Sequence, residues 1–94
     1  MSPDHTPAPP SDINVLFVDD EADLREAAAQ SLMLADIGAE MLPSPEDALA
    51  RLGRHVPAIL VTAIRMPGMD GLTLMARALE IDPDLPVLLV TGHG

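Results

Sequence analysis

Four short apolar segments, separated by stretches with helical periodicity, constrain the fold of this chain more than any other feature of its sequence. They predict strands at Val15–Val18, Ala39–Leu42, Ala58–Thr62 and Val87–Val90. Strands that are apolar along their length are typical of a sheet covered on both faces, and intervening helices make successive strands parallel. We therefore predict an α/β fold, a doubly wound parallel sheet that stops after its fourth strand.

Three helices are predicted between the strands. Asp23 and Glu26 have the spacing of a capping box at the start of the first helix, and Gly38 stands where a glycine ends it. Ser44 predicts the cap of the second helix, which ends at Gly53. The residues expected to face the sheet are Leu24, Ala27, Ala28, Ser31, Leu32 and Ala35 in the first helix, Ala48, Leu49 and Leu52 in the second, and Leu72, Met75, Ala76 and Leu79 in the third.

Composition predicts one small domain with a disordered leader. Residues 1–12 contain four prolines among small polar residues, which favours disorder. The domain is expected over residues 13–94, with an aliphatic core, because aromatic residues make up only 1% of the chain. No apolar stretch approaches membrane-spanning length, and the amino terminus lacks the profile of a signal peptide. We therefore expect a cytoplasmic domain without membrane contact.

Charge and residue usage exclude several functions. The formal net charge of −10 argues against direct contact of this segment with nucleic acid, because phosphate backbones would be repelled. All five basic residues are arginine, so a phosphate-binding loop ending in Gly-Lys and lysine Schiff-base chemistry are impossible in this chain. The absence of cysteine excludes disulfides and thiolate metal sites.

Acidic residues follow the first predicted strand directly. Asp19, Asp20 and Glu21 come after Val18, and ligands of such sheets bind at the carboxyl ends of the strands. One interpretation is a hard-cation site, since clustered carboxylate oxygens suit Mg²⁺. The alternative is that these residues only solvate a strand end and favour the start of the next helix.

Three motifs at successive strand ends resemble one known family. They are VLFVDDE at the first strand, IRMPGMDGL after the third and LLVTGHG at the fourth. In this order and spacing they resemble receiver domains of two-component response regulators, the CheY-like domains, over residues 13–94. The VTGHG and IRMPGMDG segments are most similar to receivers of NtrC-type activators, particularly the C4-dicarboxylate transport regulators.

The resemblance implies a chemistry and a set of site residues. Receivers accept a phosphoryl group from a sensor histidine kinase onto an aspartate of their own, using Mg²⁺. By resemblance, Asp19, Asp20 and the backbone carbonyl of Arg65 would hold the metal, and the Thr91 hydroxyl would contact the phosphoryl group and act in the switch. It also implies a transcription regulator that forms a homodimer as the intact protein.

The position of the phosphoacceptor is occupied by Ala63. A methyl group has no lone pair, so it can neither attack phosphorus nor bind a metal. Thr62 is not expected to replace it, because successive strand residues point to opposite faces, and Asp70 is expected to cap the third helix. Two carboxylates where the family uses three predict weak Mg²⁺ binding, if any.

The resemblance also predicts that the chain lacks the end of the domain. Receivers continue with a helix, a lysine-bearing strand and a further helix, so an incomplete receiver with an exposed fourth strand is expected. The leading hypothesis is a signalling and interaction module that is not an enzyme. A magnesium-dependent phosphatase or phosphotransferase of the haloacid-dehalogenase type is the first alternative. A purely structural fragment that binds a partner through the first helix, Asp23 to Asp36, is the second.

Overall fold

The computed structural model describes residues 14–91, which form four strands and three helices in strict alternation. The predicted leader, residues 1–12, lies outside the described residues. The elements in chain order are β1 (Val15–Val18), α1 (Ala22–Leu34), β2 (Ala39–Leu42), α2 (Pro45–Arg54), β3 (Ile59–Ala63), α3 (Gly71–Ile81) and β4 (Val87–Val90).

All neighbouring strands of the sheet are parallel, and their order is β2-β1-β3-β4. The chain therefore leaves β1 on one side to form β2 and returns on the other side to form β3, which places the topological switch point between β1 and β3. The predicted doubly wound fold is confirmed. β3 begins and ends one residue later than expected, and its end extends to Ala63 because this residue still pairs with Val90. No helix within residues 14–91 is long and apolar enough to cross a membrane.

One face of the sheet is closed by α2 and α3. Leu16 and Leu60 are adjacent in the register and fully buried, and they pack with Leu52 of α2 and Leu74 of α3. Leu, Ile and Val side chains buried in this way each stabilise the fold by about 1.5–3 kcal/mol. This cluster is the core of the domain.

The opposite face carries α1 and is only partly covered. The register aligns Phe17, Val61 and Leu88 in a row across this face, and Leu88 remains 51% exposed. No residue of α1 is buried. Of the residues predicted to share one face of this helix, Leu24, Ala28 and Leu32 are half-buried, and Ala27, Ser31 and Ala35 are exposed. Within the described part of the chain, no second helix lies beside α1 to close its flank.

Both ends of α1 differ from the predictions. The helix begins at Ala22 with Glu21 as N-cap, and no side chain accepts a hydrogen bond there, so the Asp23–Glu26 capping box is wrong. It ends at Leu34, before Gly38. Asp36 has φ of 60°, and the N–H groups of Asp36 and Ile37 donate to the carbonyls of Met33 and Leu32. This is a Schellman motif with aspartate at the position that glycine usually takes.

The starts of α2 and α3 agree with the predictions, but the buried face of α3 does not. The Ser44 hydroxyl accepts from the Asp47 N–H at 3.1 Å, ahead of Pro45 in the first turn. α2 extends to Arg54, one residue past Gly53. In α3 the buried residues are Gly71, Leu74 and Ala78. Leu72 and Ala76 were expected to face inward but are exposed, Leu72 by 49%, because the close approach of Gly71 to β3 sets the rotation of this helix.

Candidate functional site

The carboxyl ends of three strands meet at one level of the sheet. Val18 pairs with Thr62, and Ala63 pairs with Val90. The next residues along the chain are Asp19 after β1 and Thr91 after β4. The described parts of the three motifs are therefore brought together at the switch point, where parallel sheets of this kind bind their ligands; residues 92–94 of the third motif lie outside the described residues.

Asp19 is the most buried acid of this edge. It is only 4% exposed, its N–H donates to the Leu42 carbonyl at 3.1 Å, and its Oδ1 accepts from the Glu21 N–H at 2.9 Å. A buried carboxylate requires such partners, because an unpaired one would lose its hydration without compensation. The other carboxylate oxygen has no hydrogen-bond partner among the described residues.

The remaining predicted site residues are exposed at the same edge. Asp20, Arg65 and Thr91 all lie at the surface. Within residues 14–91, no group of three or more His, Cys, Asp or Glu side chains is arranged to hold a metal ion. Asp19 and Asp20 thus lie at this edge as predicted, but within the described residues no third carboxylate joins them to form a metal site.

Ala63 lies at the centre of this edge. It is 3% exposed and belongs to the buried cluster that includes Met66. The Thr62 side chain is fully buried, and its hydroxyl donates to the Ala63 carbonyl at 2.9 Å. The hydroxyl therefore points to backbone and not toward the acidic pair.

The loop after β3 is held against the strand by Gly71. The Gly71 N–H donates to the Ile64 carbonyl at 2.7 Å, and the Ile64 N–H donates to the Val90 carbonyl at 3.0 Å. A Cβ at position 71 would overlap the Ala63 carbonyl oxygen and lie 2.9 Å from Cα of Ile64. Only glycine allows α3 to begin this close to the end of β3.

Asp70 caps α3, as expected from the sequence. Its Oδ1 accepts from the Thr73 N–H at 2.8 Å. This backbone hydrogen bond, with a smaller contribution from the Thr73 hydroxyl, lowers the pKa of Asp70, because both stabilise the charged form. The Asp70 carboxylate is therefore committed to the helix start.

A shallow groove runs from this edge along the face that carries α1. Its volume is about 320 Å³, and Asp19 and Thr91 both contribute to its lining. The rest of its lining is mostly apolar and consists of Phe17, Leu24, Ala27, Ala28, Ser31 and Val90.

Sequence reasoning did not assign Arg25 to this edge. The guanidinium of Arg25 donates through Nη1 to the carbonyl of Asp19 at 2.8 Å. The available signal was spacing: Arg25 stands in the first turn of α1, and only a long side chain can reach back from there to the strand end.

The response regulator receiver domain family matches residues 15–94. Among curated relatives, the chain is 48% identical over 81 residues to the C4-dicarboxylate transport transcriptional regulatory protein DctD of Rhizobium meliloti, covering 86% of this chain and 18% of that protein. It is 36% identical to the response regulator receiver protein CpdR of Brucella abortus, covering 85% of this chain and 67% of that protein. The chain thus spans less than a fifth of the transcription regulator and about two thirds of the single receiver protein.

Solved structures agree with the family match. The amino-terminal domain of FixJ superposes with a TM-score of 0.79 at 34% identity, covering 88% of this chain and 66% of that one. A response regulator receiver protein from Sinorhizobium medicae superposes with a TM-score of 0.78 at 29% identity, covering 88% and 68%. The strand order, the motif residues at the carboxyl ends of the strands and these matches show that the chain belongs to the response regulator receiver domain family.

Proposed function

We propose that this chain is a receiver module that cannot accept a phosphoryl group, because Ala63 stands where receivers carry their phosphoacceptor aspartate. The observation that carries the proposal is the place of Ala63, at the last residue of β3 between the ends of β1 and β4. A methyl group offers no nucleophilic oxygen at this position.

Neighbouring oxygen atoms are poor substitutes for the missing carboxylate. The Thr62 hydroxyl is fully buried and donates to backbone, and the Asp70 carboxylate caps α3. Asp19 is buried and accepts from the Glu21 N–H. The Thr62 and Asp70 oxygens are thus engaged in holding the fold, and among the described residues one Asp19 oxygen is also engaged, which supports the loss of phosphoryl acceptance.

Mg²⁺ is the cation that the remaining donor set suits. Asp19 and Asp20 offer hard carboxylate oxygens, and we assign the backbone carbonyl of Arg65 as a third donor. Mg²⁺ is commonly held by one or two carboxylates with several waters retained. Because no three-carboxylate group is present in the described residues, we propose weak binding. In an Ala63→Asp variant that accepts a phosphoryl group, the ion would neutralise charge on the phosphoryl oxygens, and the Thr91 hydroxyl would contact them.

Acetyl phosphate tests the proposal directly. In an accepting receiver, a carboxylate oxygen attacks phosphorus, the bond from phosphorus to the acetyl oxygen breaks, and acetate leaves. We expect no mass gain when the Ala63 protein is incubated with acetyl phosphate and Mg²⁺, and a gain of one phosphoryl group in Ala63→Asp. Ala63→Asn is the matched control, since it has the size of aspartate but no carboxylate nucleophile. Phosphoryl incorporation into the Ala63 protein would overturn the proposal.

We further propose that the module works by interaction within a longer, cytoplasmic transcription regulator, without enzymatic turnover. The similarity to the transcription regulator DctD supports this output, and a sensor histidine kinase is the partner expected of the family. Homodimerisation belongs to the intact protein in this proposal. The net charge of −10, which would repel a phosphate backbone, supports nucleic-acid contact by other parts of the regulator and not by this segment. The family match leaves the haloacid-dehalogenase alternative without support.

Exposure of α1 provides the test of kinase docking. Glu26 lies on the exposed side of this helix, whereas the guanidinium of Arg25 is engaged with Asp19. Charge reversal by Glu26→Lys is therefore the cleaner variant. We expect it to weaken binding to the kinase severalfold, as measured by calorimetry, while Glu80→Lys on the exposed side of α3 leaves binding unchanged. Equal affinity in both variants would show that α1 is not the docking surface.

A further inference from the structure

Arg25 is the charged side chain near the acidic edge whose presence the proposed function does not explain. A positive charge beside a cation site opposes cation binding by Coulomb repulsion. Its placement therefore weakens cation binding electrostatically. A second contribution from the same side chain would have to offset this cost.

The hydrogen bond made by Arg25 falls on a particular peptide. The Asp19 carbonyl that accepts from Nη1 at 2.8 Å belongs to the peptide unit that joins Asp19 to Asp20. Because a peptide unit is planar, fixing its carbonyl fixes the direction in which the chain enters Asp20. One bond from Arg25 thus restrains the relative orientation of both acidic residues.

Two further bonds make this restraint rigid. The Glu21 N–H donates to Oδ1 of Asp19 at 2.9 Å, which orients that carboxylate. The Arg25 N–H donates to the Glu21 carbonyl at 3.0 Å, which fixes the base of the arginine side chain to the same loop. Asp19, Glu21 and Arg25 therefore form a closed set of contacts between β1 and the first turn of α1.

We propose that Arg25 is a positioning residue for the acidic pair, which holds the Asp19–Asp20 peptide in the orientation that binds a divalent cation. The inference rests on the proposed cation site. The proposed role depends on the hydrogen bond of the guanidinium and not on its charge. Loss of the hydrogen bond and loss of the charge would change the Mg²⁺ affinity in opposite directions. Loss of the charge alone would tighten Mg²⁺ binding by about threefold or more. Loss of a residue that orients metal ligands typically weakens binding by about 10-fold to 100-fold.

Cation titration of the full chain distinguishes these two effects on the affinity. Mn²⁺ is the probe, followed by its electron paramagnetic resonance signal, with Mg²⁺ competition to obtain the affinity for magnesium. We expect Arg25→Met, which keeps the length of the side chain but removes donor and charge, to weaken binding by about tenfold. Arg25→Lys, which keeps a donor and the charge, should recover most of the affinity. Arg54→Met is the matched control for net charge, since Arg54 ends α2 at the opposite edge of the sheet, and it should leave the affinity within about twofold.

The same titrations in an Ala63→Asp background guard against an affinity too weak to measure, because a third carboxylate strengthens the site. Urea unfolding of each variant establishes that it is folded. Unchanged or tighter binding in Arg25→Met would overturn the proposal, as would the absence of Mn²⁺ binding in both backgrounds. Phosphoryl acceptance is scored separately by mass, so failure of the positioning role is distinguishable from failure of the proposed function.

Discussion

The two faces of the sheet are built from the same kinds of residue but are covered to different degrees. On the α2–α3 face, Leu60 and Leu74 are fully buried. On the α1 face, Leu88 is 51% exposed and Leu34 at the end of α1 is 85% exposed. Two helices packed against each other close the first face, whereas α1 has no neighbouring helix among residues 14–91. The difference shows that stability is concentrated on one face, while the other offers surface.

Removing the same side-chain atoms on each face should show the difference between the two faces most strongly. We expect Leu74→Ala to lower the free energy of unfolding by about 2–5 kcal/mol, and Leu88→Ala by less than about 1 kcal/mol, as measured by urea unfolding. Helix propensity favours alanine in α3 and strand propensity disfavours it in β4, so both propensities act against this result. Similar losses in the two variants would refute the comparison.

The closed face also depends on the contact between α3 and β3. We expect Gly71→Ala to destabilise the domain by about 1–3 kcal/mol, because the added Cβ would overlap the backbone of Ala63. Gly53→Ala is the matched control: a Cβ at Gly53 meets no atom within 4 Å, and it should stabilise α2 by about 0.5–1 kcal/mol. The urea midpoints of the two variants should therefore move in opposite directions.

The end of α1 should improve when its strained residue is replaced. Asp36→Gly is expected to raise the free energy of unfolding by about 0.5–1 kcal/mol, because glycine adopts the observed φ of 60° without a Cβ penalty. Asp36→Ala removes the same charge without that conformational freedom. If alanine stabilises as much as glycine in thermal unfolding, the gain comes from charge and not from the backbone.

The smallest effect concerns pH and the cap of α3. The pKa of Asp70 is lowered, chiefly by the hydrogen bond from the Thr73 N–H, so the folded state favours the charged carboxylate. This stabilisation is complete above the unfolded pKa of about 3.9 and is lost as pH falls through the lower folded value. We expect the stability advantage of the protein over Asp70→Asn to be constant near neutral pH and to shrink below about pH 4. Denaturation midpoints that differ by a constant amount down to acid pH would contradict this.

Much of the fold follows from local patterns in the sequence. Apolar strands and helix-start residues such as Ser44 and Asp70 are local signals, because a strand or a cap is defined within a few residues. The end of α1 was not predictable in this way. Gly38 offered the usual stop signal, but the chain turned two residues earlier at Asp36, where the Schellman hydrogen bonds outweighed the preference for glycine.

By itself, the sequence determined the type and order of the elements, the family and the absence of a carboxylate at Ala63, since each depends only on residue identity and spacing. Tertiary structure decided which of those residues meet and how deeply each is buried. The overlap that requires Gly71 and the reach of Arg25 to the Asp19 carbonyl both depend on distances between separate elements. Such distances are set by packing, which no local pattern of residues encodes.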